Sequence, residues 1–185
     1  MHQTKNKTNM VWIDMEMTGL DPEKERIIEI ATLITDKDLN LLGEGPNLVI
    51  HQDAKVLDGM DEWNQKHHKK SGLLDQVKNS QMTVKKAERL TLGFIKKFCL
   101  PKKSPLCGNA VHHDRRFLMK YMPSLSHYLH YRHVDVSTLK ILIHGWYPQD
   151  KKKFPKKSDA HRASDDIRRS IEELRFYQKN YFIQQ

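Results

Sequence analysis

Two carboxylates alternate with apolar side chains in a short segment near the N-terminus. Polar and apolar residues alternate with a period of two over residues 11–17, which is typical of a strand. Asp14 and Glu16 then project from one face of the strand, and Met15 projects from the other. Such a pair is either two solvent-exposed acids on an edge strand or two oxygen ligands for Mg²⁺ or Mn²⁺. The segment alone leaves both interpretations open.

A site that holds two divalent cations needs about four acidic residues in all, so other acids must complete it. Asp114 is one candidate, because a short predicted strand meets a predicted helix close to this residue. The same position also suits an ordinary acid in the first turn of a helix, where a carboxylate interacts favourably with the helix dipole. Spacing does not choose between these roles.

Further candidates open the last predicted helix. Asp165 has Arg169 one turn later, which is typical of a solvated helix face. Asp166 adjoins Ile167, at the edge of the apolar face that this helix is expected to bury. Spacing alone does not decide which of the two acids points inward. His161 precedes this helix and carries an imidazole that can accept a proton near neutral pH, although a surface role is the default for one histidine among 11.

The elements that must position these residues alternate along the chain. Alternating strands and helices indicate a single-domain α/β fold, and Ser137 is predicted to cap the helix that follows it. Strands are predicted at residues 11–17, 27–35, 106–109 and 134–136, with a third early strand ending near residue 51. Helices are predicted at residues 61–71, 84–98 and 138–146, around residues 117–121, and over the last stripe, Ile167, Ile171 and Leu174.

Composition narrows the class of protein. The chain has 185 residues, and Lys plus Arg outnumber Asp plus Glu by 32 to 23, which favours an anionic partner. No apolar run reaches the roughly 18 to 20 residues that a membrane span needs, so we expect no membrane association. Only Cys99 and Cys107 are present, without zinc spacing, and this favours a reducing, cytoplasmic location.

The acids and the histidine occur in an order that resembles the DEDDh exonucleases, which have a ribonuclease-H-like fold with a mixed sheet flanked by helices. Within that group the chain is most similar to the oligoribonucleases, and the resemblance spans residues 10–182. It implies that four acids bind two divalent cations, Mg²⁺ or Mn²⁺, and that His161 is the general base. The residues that carry the match are Asp14, Glu16, Asp114, His161 and Asp166. The flanking segments that match are residues 12–22, 27–32, 115–118 and 135–140.

The same resemblance implies a set of residues that bind the substrate. Leu20 is expected to wedge between bases, while Trp63 and His68 line the pocket of the terminal nucleotide. Stacking of this kind tolerates any base sequence. Leu20 and Trp63 are equally compatible with ordinary core packing.

The resemblance also implies a homodimer that caps the 5′ phosphate of the substrate. Tyr131 is expected to act in catalysis from the partner subunit, while Arg132 and Ser137 donate hydrogen bonds to phosphate. Arg132 is also compatible with an ordinary surface charge. The chain has Ala110 where family members often have serine, and His112 and His113 replace smaller or less basic residues, which leaves the substrate-length preference open.

The resemblance implies a 3′-to-5′ exoribonuclease that converts short oligoribonucleotides, in particular dinucleotides, to mononucleotides. Residues 1–9 are expected to form a polar leader and residues 10–182 the exonuclease domain. One alternative is a related exonuclease that acts on longer RNA or DNA 3′ ends, with the lysines of residues 151–157 following the backbone. The other is an inactive module that only binds nucleic acid.

Overall fold

One sheet and the helices on its two faces make up the structure, a computed structural model that describes residues 5–149 and 162–182. Within those residues the strands are β1 (Met10–Met17), β2 (Ile27–Thr35), β3 (Leu41–Glu44), β4 (Leu48–Val49), β5 (Leu106–Gly108) and β6 (His133–Asp135). The helices are α1 (Ala54–Asp58), α2 (Glu62–Lys70), α3 (Leu73–Asn79), α4 (Val84–Phe98), α5 (His112–Tyr121), α6 (Pro123–Tyr128), α7 (Val136–Trp146) and α8 (Ala163–Tyr181).

The sheet is mixed, as expected for a ribonuclease-H-like fold. Its order is β3-β2-β1-β5-β6, and β4 pairs with β2. The neighbours β1, β2 and β3 are antiparallel, whereas β5 runs parallel to both β1 and β6. Strand β1 therefore lies at the centre, between the antiparallel and the parallel parts of the sheet.

The period-two pattern of β1 separates two cores. Its residues Val11, Ile13, Met15 and Met17 pack in one buried cluster with residues of α4 and α5. Trp12 belongs to a second cluster, which contains the buried residues of α7 and α8. Because Asp14 and Glu16 share the parity of Trp12, they point to the face of the sheet that α8 covers.

Most predicted elements are confirmed, and the differences have local causes. Helix α7 begins at Val136, and its cap is the side chain of Asp135, which accepts a hydrogen bond from the Ser137 amide at 2.9 Å. The prediction that Ser137 caps this helix is therefore wrong. The predicted third strand is divided into β3 and β4, because Pro46 between them lacks the amide that a sheet ladder requires.

No helix of residues 5–149 and 162–182 is long and apolar enough to cross a membrane. His161 and the lysines of residues 151–157 lie outside these ranges.

Two glycines provide a test of the packing around β2. A Cβ atom at Gly45 would lie 2.7 Å from the Phe94 ring and 2.9 Å from the Thr32 carbonyl oxygen, whereas a Cβ at Gly93 would meet nothing within 4 Å. We expect Gly45→Ala to reduce the free energy of unfolding by about 1–3 kcal/mol. Gly93→Ala, inside α4, should increase it by up to about 1 kcal/mol. Denaturant unfolding measures both, and changes of the same sign would contradict this packing.

Candidate active site

Three carboxylates meet where β1 faces the first turn of α8. Asp14, Glu16 and Asp166 each offer an oxygen, and these atoms lie within 4.8 Å of one another. All three side chains are half-buried, so the group is open to solvent on one side. Such a cluster of hard oxygen ligands suits a divalent cation. The structure thus brings together three of the four acids that the sequence predicts as metal ligands.

The contact between α8 and the sheet selects Asp166 over its neighbour. Asp165 is exposed, whereas Asp166 is half-buried and precedes Ile167, which is 2% exposed in the core between α8 and the sheet. Since consecutive helix residues differ by about 100° around the axis, only one of the two acids can face β1. The packing of Ile167 therefore turns Asp166 toward the cluster.

Asp114, the fourth predicted ligand, lies on α5 and contacts the same strand, β1, through a hydrogen bond. Its Oδ1 accepts a hydrogen bond of 3.1 Å from the Met15 amide, which lies between Asp14 and Glu16 in the chain. The side chain is 6% exposed. Burial raises the pKa of Asp114 to about 8, and the nearby charges of Glu16 and Asp135 also raise it. A divalent cation at this place would offset the cost of ionising this carboxyl.

Asp135 holds the turn that presents Asp114. Its carboxylate accepts hydrogen bonds from the amides of Ala110 at 3.1 Å, Val111 at 3.2 Å and Ser137 at 2.9 Å. Ala110 has a φ of 49°, a left-handed conformation that costs energy for a residue with a Cβ atom. The carboxylate therefore ties the start of α5 to the start of α7. Sequence reasoning assigned no role to Asp135, although its position before a predicted helix is a capping signal.

His68 is buried against β1. Its Nε2 lies 3.0 Å from the Met17 carbonyl oxygen, and its Nδ1 lies 3.9 Å from Oε2 of Glu16. The residue is 1% exposed. These contacts place the imidazole beside the Glu16 carboxylate, and its predicted contact with a nucleotide stays a prediction.

Leu20 and Trp63 have the exposure that a stacking surface requires. Leu20 is 59% exposed in the loop after β1, and Trp63 is 67% exposed on α2. The Trp63 ring stacks on His67 with 4.7 Å between centroids and 6° between planes, which helps to hold the orientation of the indole. The alternative that Leu20 and Trp63 are core residues is therefore wrong.

The residues predicted to contact the 5′ phosphate differ in their surroundings. Tyr131 is 70% exposed, lies on the His130 ring, and has the guanidinium of Arg132 5.4 Å from its ring centroid. The Ser137 hydroxyl accepts a hydrogen bond from the Ala110 amide at 2.8 Å and donates one to Asn109 at 3.1 Å. In this structure Ser137 thus stabilises the turn before α5, while Tyr131 and Arg132 are accessible to a ligand.

Comparisons with known proteins agree with this geometry. The exonuclease family RNase_T matches residues 11–174. The oligoribonuclease of Haemophilus influenzae strain PittGG is 54% identical over 176 residues, which cover 95% of this chain and 96% of that protein. The oligoribonuclease of Coxiella burnetii is 56% identical over 169 residues, or 91% of this chain and 92% of that protein. The chain belongs to the oligoribonuclease family.

Solved exonuclease structures share the fold of this oligoribonuclease-family chain. Exonuclease I from Methylocaldum szegediense superposes with a TM-score of 0.69 at 18% identity, covering 94% of this chain and 41% of that one. The zinc-bound complex of E. coli exonuclease I with single-stranded DNA gives 0.70 at 15% identity, covering 95% and 41%. This chain therefore spans about two fifths of those longer proteins, and the likeness concerns the fold.

The buried carboxyl of Asp114 predicts how stability depends on pH without metal. Its pKa is raised from 3.8 to about 8, so the folded state retains a proton that the unfolded chain releases. The stabilisation is complete below about pH 4 and is lost as the pH rises toward 8. In the presence of a chelator, we expect the Tm to fall across this range, and Mn²⁺ should restore it at neutral pH.

Asp114→Asn is the matched control for this experiment. The amide oxygen can still accept the hydrogen bond from Met15, but the side chain no longer titrates. The chelated variant should have a flatter Tm profile than the chelated parent between pH 4 and 8. Parallel profiles for the two proteins would show that another group causes the effect.

Proposed function

We propose that this protein is a 3′-to-5′ exoribonuclease that hydrolyses short oligoribonucleotides to mononucleotides. The observation that carries the proposal is the cluster of Asp14, Glu16 and Asp166, with oxygens within 4.8 Å of one another, in a chain that belongs to the oligoribonuclease family. The relatives' name describes ribonucleases that act on oligonucleotides. An open acidic cluster between a central strand and a helix suits phosphodiester hydrolysis with divalent cations.

The proposed cofactors are two divalent cations, Mg²⁺ or Mn²⁺. Asp14, Glu16 and Asp166 would hold them, together with Asp114 beside the Met15 amide. These ligands are all carboxylates, and oxygen-only donor sets favour Mg²⁺ and Mn²⁺ over softer metals. When bound, the cations would supply an activated water and would stabilise negative charge on the phosphate and on the leaving oxygen.

His161 is the proposed general base. Its imidazole would take a proton from water as the water oxygen bonds to phosphorus. The bond between phosphorus and the 3′ oxygen breaks, and this oxygen takes a proton from solvent, which leaves a 3′-hydroxyl on the shortened RNA and releases a nucleoside 5′-monophosphate. Arg162, the next residue in the chain, is anchored to the sheet.

The proposed substrate is a short RNA, with dinucleotides preferred. Leu20 and Trp63 are exposed and would stack on the two bases, while His68, which is buried beside Glu16, would line the same pocket from its inner side. Each stacked base contributes roughly 1–3 kcal/mol, which suffices for weak binding of a dinucleotide without a long interface. A related activity on longer strands is the competing proposal, since the net charge of +9 also favours extended polyanions.

The proposed functional unit is a homodimer. Tyr131 would act at the site of the partner subunit, and Arg132 and Ser137 would bind the 5′ phosphate of the substrate. The proposal is supported by the 70% exposure of Tyr131, which is high for an aromatic ring, and by exposed apolar residues on the neighbouring α7, Ile141 at 71% and Trp146 at 69%. Exposed apolar surface of this kind is typical of protein interfaces.

The proposed location is the cytoplasm. Cys99 and Cys107 are both free and buried, and burial raises the pKa of each thiol. Buried free thiols without disulfides are typical of proteins in a reducing compartment.

An assay that compares substrate lengths tests the activity and its specificity together. We expect faster hydrolysis of a 5′-labelled dinucleotide than of a labelled RNA of roughly twenty nucleotides, which exceeds most single-strand binding sites. A chelator should abolish both reactions, and Mn²⁺ or Mg²⁺ should restore them. Equal rates would favour the exonuclease of longer strands, and no hydrolysis with added Mn²⁺ would favour the inactive binding module.

Substitution of the general base gives a second test. His161→Ala should lower kcat by about 10²-fold or more, because proton transfer by a positioned base contributes at least this much. His127→Ala, an exposed histidine on α6, is the control and should keep the parental rate. A near-parental kcat for His161→Ala would rule out its role.

The His161→Ala variant also serves to test whether Tyr131 acts across the dimer. Tyr131→Ala should be inactive on its own, because both sites of its homodimer lack the ring. After subunit exchange with His161→Ala, each mixed dimer would contain one complete site, so activity should return. If the mixture stays as inactive as its components, Tyr131 does not act from the partner subunit.

A further inference from the structure

An ion pair beside the acidic cluster joins a fully buried carboxylate of the sheet to a partly exposed arginine. Glu29, in the middle of β2, is 0% exposed. Arg162 binds it with Nε 3.1 Å from both carboxylate oxygens and with Nη2 2.6 Å from Oε1. Nη2 also donates to Oε1 of Gln76 on α3 at 3.0 Å. The guanidinium is therefore fixed from two sides, by the sheet and by a helix.

Stability is a poor explanation for this pair. Moving the Glu29 carboxylate out of water costs free energy that its attraction to Arg162 only partly offsets, and apolar pairs of similar volume often stabilise a fold at least as well. Glu29 interrupts an apolar strand in which all nine residues are buried. A charged pair at this position therefore needs a role that an apolar pair would not provide.

The pair defines the start of α8. Arg162 immediately precedes the helix, and its carbonyl oxygen accepts hydrogen bonds of 3.0 Å from the amides of Asp165 and Asp166. The Arg162 side chain does not cap the helix. Instead, Oε2 of Glu29 lies 3.4 Å from the Ala163 amide, so a carboxylate of the sheet interacts with the amino end of α8. The position of Asp166 thus depends on contacts of Glu29.

The pair also adjoins the acids of β1. Glu29 is directly opposite Glu16 in the antiparallel β1–β2 ladder, so both side chains project from the face of the sheet that α8 covers. Two carboxylates in this arrangement repel each other unless a cation lies close to them. The hydrogen bond to Glu29 is the main cause of the raised pKa of Arg162, and the negative charges of Glu29, Glu16 and Asp165 also raise it.

We propose that Glu29 and Arg162 are positioning residues, which hold Asp166 and Glu16 at the separation that divalent cations require. The inference rests on the proposed function, because it concerns the same metal site, and it assigns a role to two residues outside the ligand set.

A single substitution and its matched control test the metal site directly. Glu29→Gln keeps the shape of the side chain and removes its charge, while Glu44→Gln removes the exposed ion pair between Arg168 of α8 and β3. We expect Glu29→Gln to weaken Mn²⁺ binding, measured by calorimetry and by the Mn²⁺ EPR signal, by about 10- to 100-fold. Glu44→Gln should bind Mn²⁺ like the parent.

Steady-state kinetics separates orientation of the metal site from binding of the bases. At saturating Mn²⁺, Glu29→Gln should lower kcat for a dinucleotide by about 10-fold or more, whereas KM should stay near the parental value, because Leu20 and Trp63 are unchanged. An equal loss in Glu44→Gln would mean that any lost contact of α8 has this effect, and parental kcat and Mn²⁺ affinity in Glu29→Gln would overturn the proposal.

A double substitution separates positioning from stability, even if Glu29→Gln folds poorly. Glu29→Met combined with Arg162→Met replaces the ion pair by apolar side chains and should have a Tm near or above that of the parent. We expect kcat and Mn²⁺ affinity to stay low in this variant. If they return together with the Tm, the pair is only structural and the proposal is wrong.

Failure of this proposal is distinguishable from failure of the proposed function. Mn²⁺ binding by the parent does not depend on any RNA substrate. If the parent binds Mn²⁺ but hydrolyses no RNA, the proposed function fails, while weaker binding by Glu29→Gln would still support the positioning role. If the parent does not bind Mn²⁺, both proposals are overturned.

Discussion

Mutual repulsion of carboxylates is the constraint on which the site depends. Asp14, Glu16 and Asp166 place oxygens within 4.8 Å of one another, and Asp114 is buried beside the same strand. Two unit charges 4 Å apart repel by about 4 kcal/mol at the effective dielectric constant of a protein surface. The fold must resist this repulsion until cations neutralise it, which explains why elements remote in the chain are tied so closely to β1.

Two further carboxylates provide much of that resistance, and neither belongs to the acidic cluster. Asp135 accepts three backbone amides and so fixes the turn before α5, which carries Asp114. Glu29 binds Arg162 and so fixes the start of α8, which carries Asp166. In each case hydrogen-bond donors from a neighbouring element offset the negative charge, so the carboxylate connects two parts of the fold.

The surface that would receive the bases is built differently from the metal site. Leu20 and Trp63 are more than half exposed, and few contacts restrain them, whereas the acids and their supporting residues are held by hydrogen bonds to the sheet. Rigid ligands keep the charges at a defined separation, while exposed apolar groups can adapt to any base. This division suits an enzyme that performs one reaction on RNA of any sequence.

The sequence by itself determined the elements whose signals are local. The period of two in β1 predicted which face carries Asp14 and Glu16, and helical periodicity predicted α4, because both patterns depend only on near neighbours in the chain. Residue spacing did not decide between Asp165 and Asp166, because the choice depends on packing against the sheet. The resemblance to known exonucleases implied Asp166, and the tertiary structure supplies the physical reason. The roles of Glu29 and Asp135 were also invisible, because their partners lie 133 and 25 residues away and a single sequence does not record such distances.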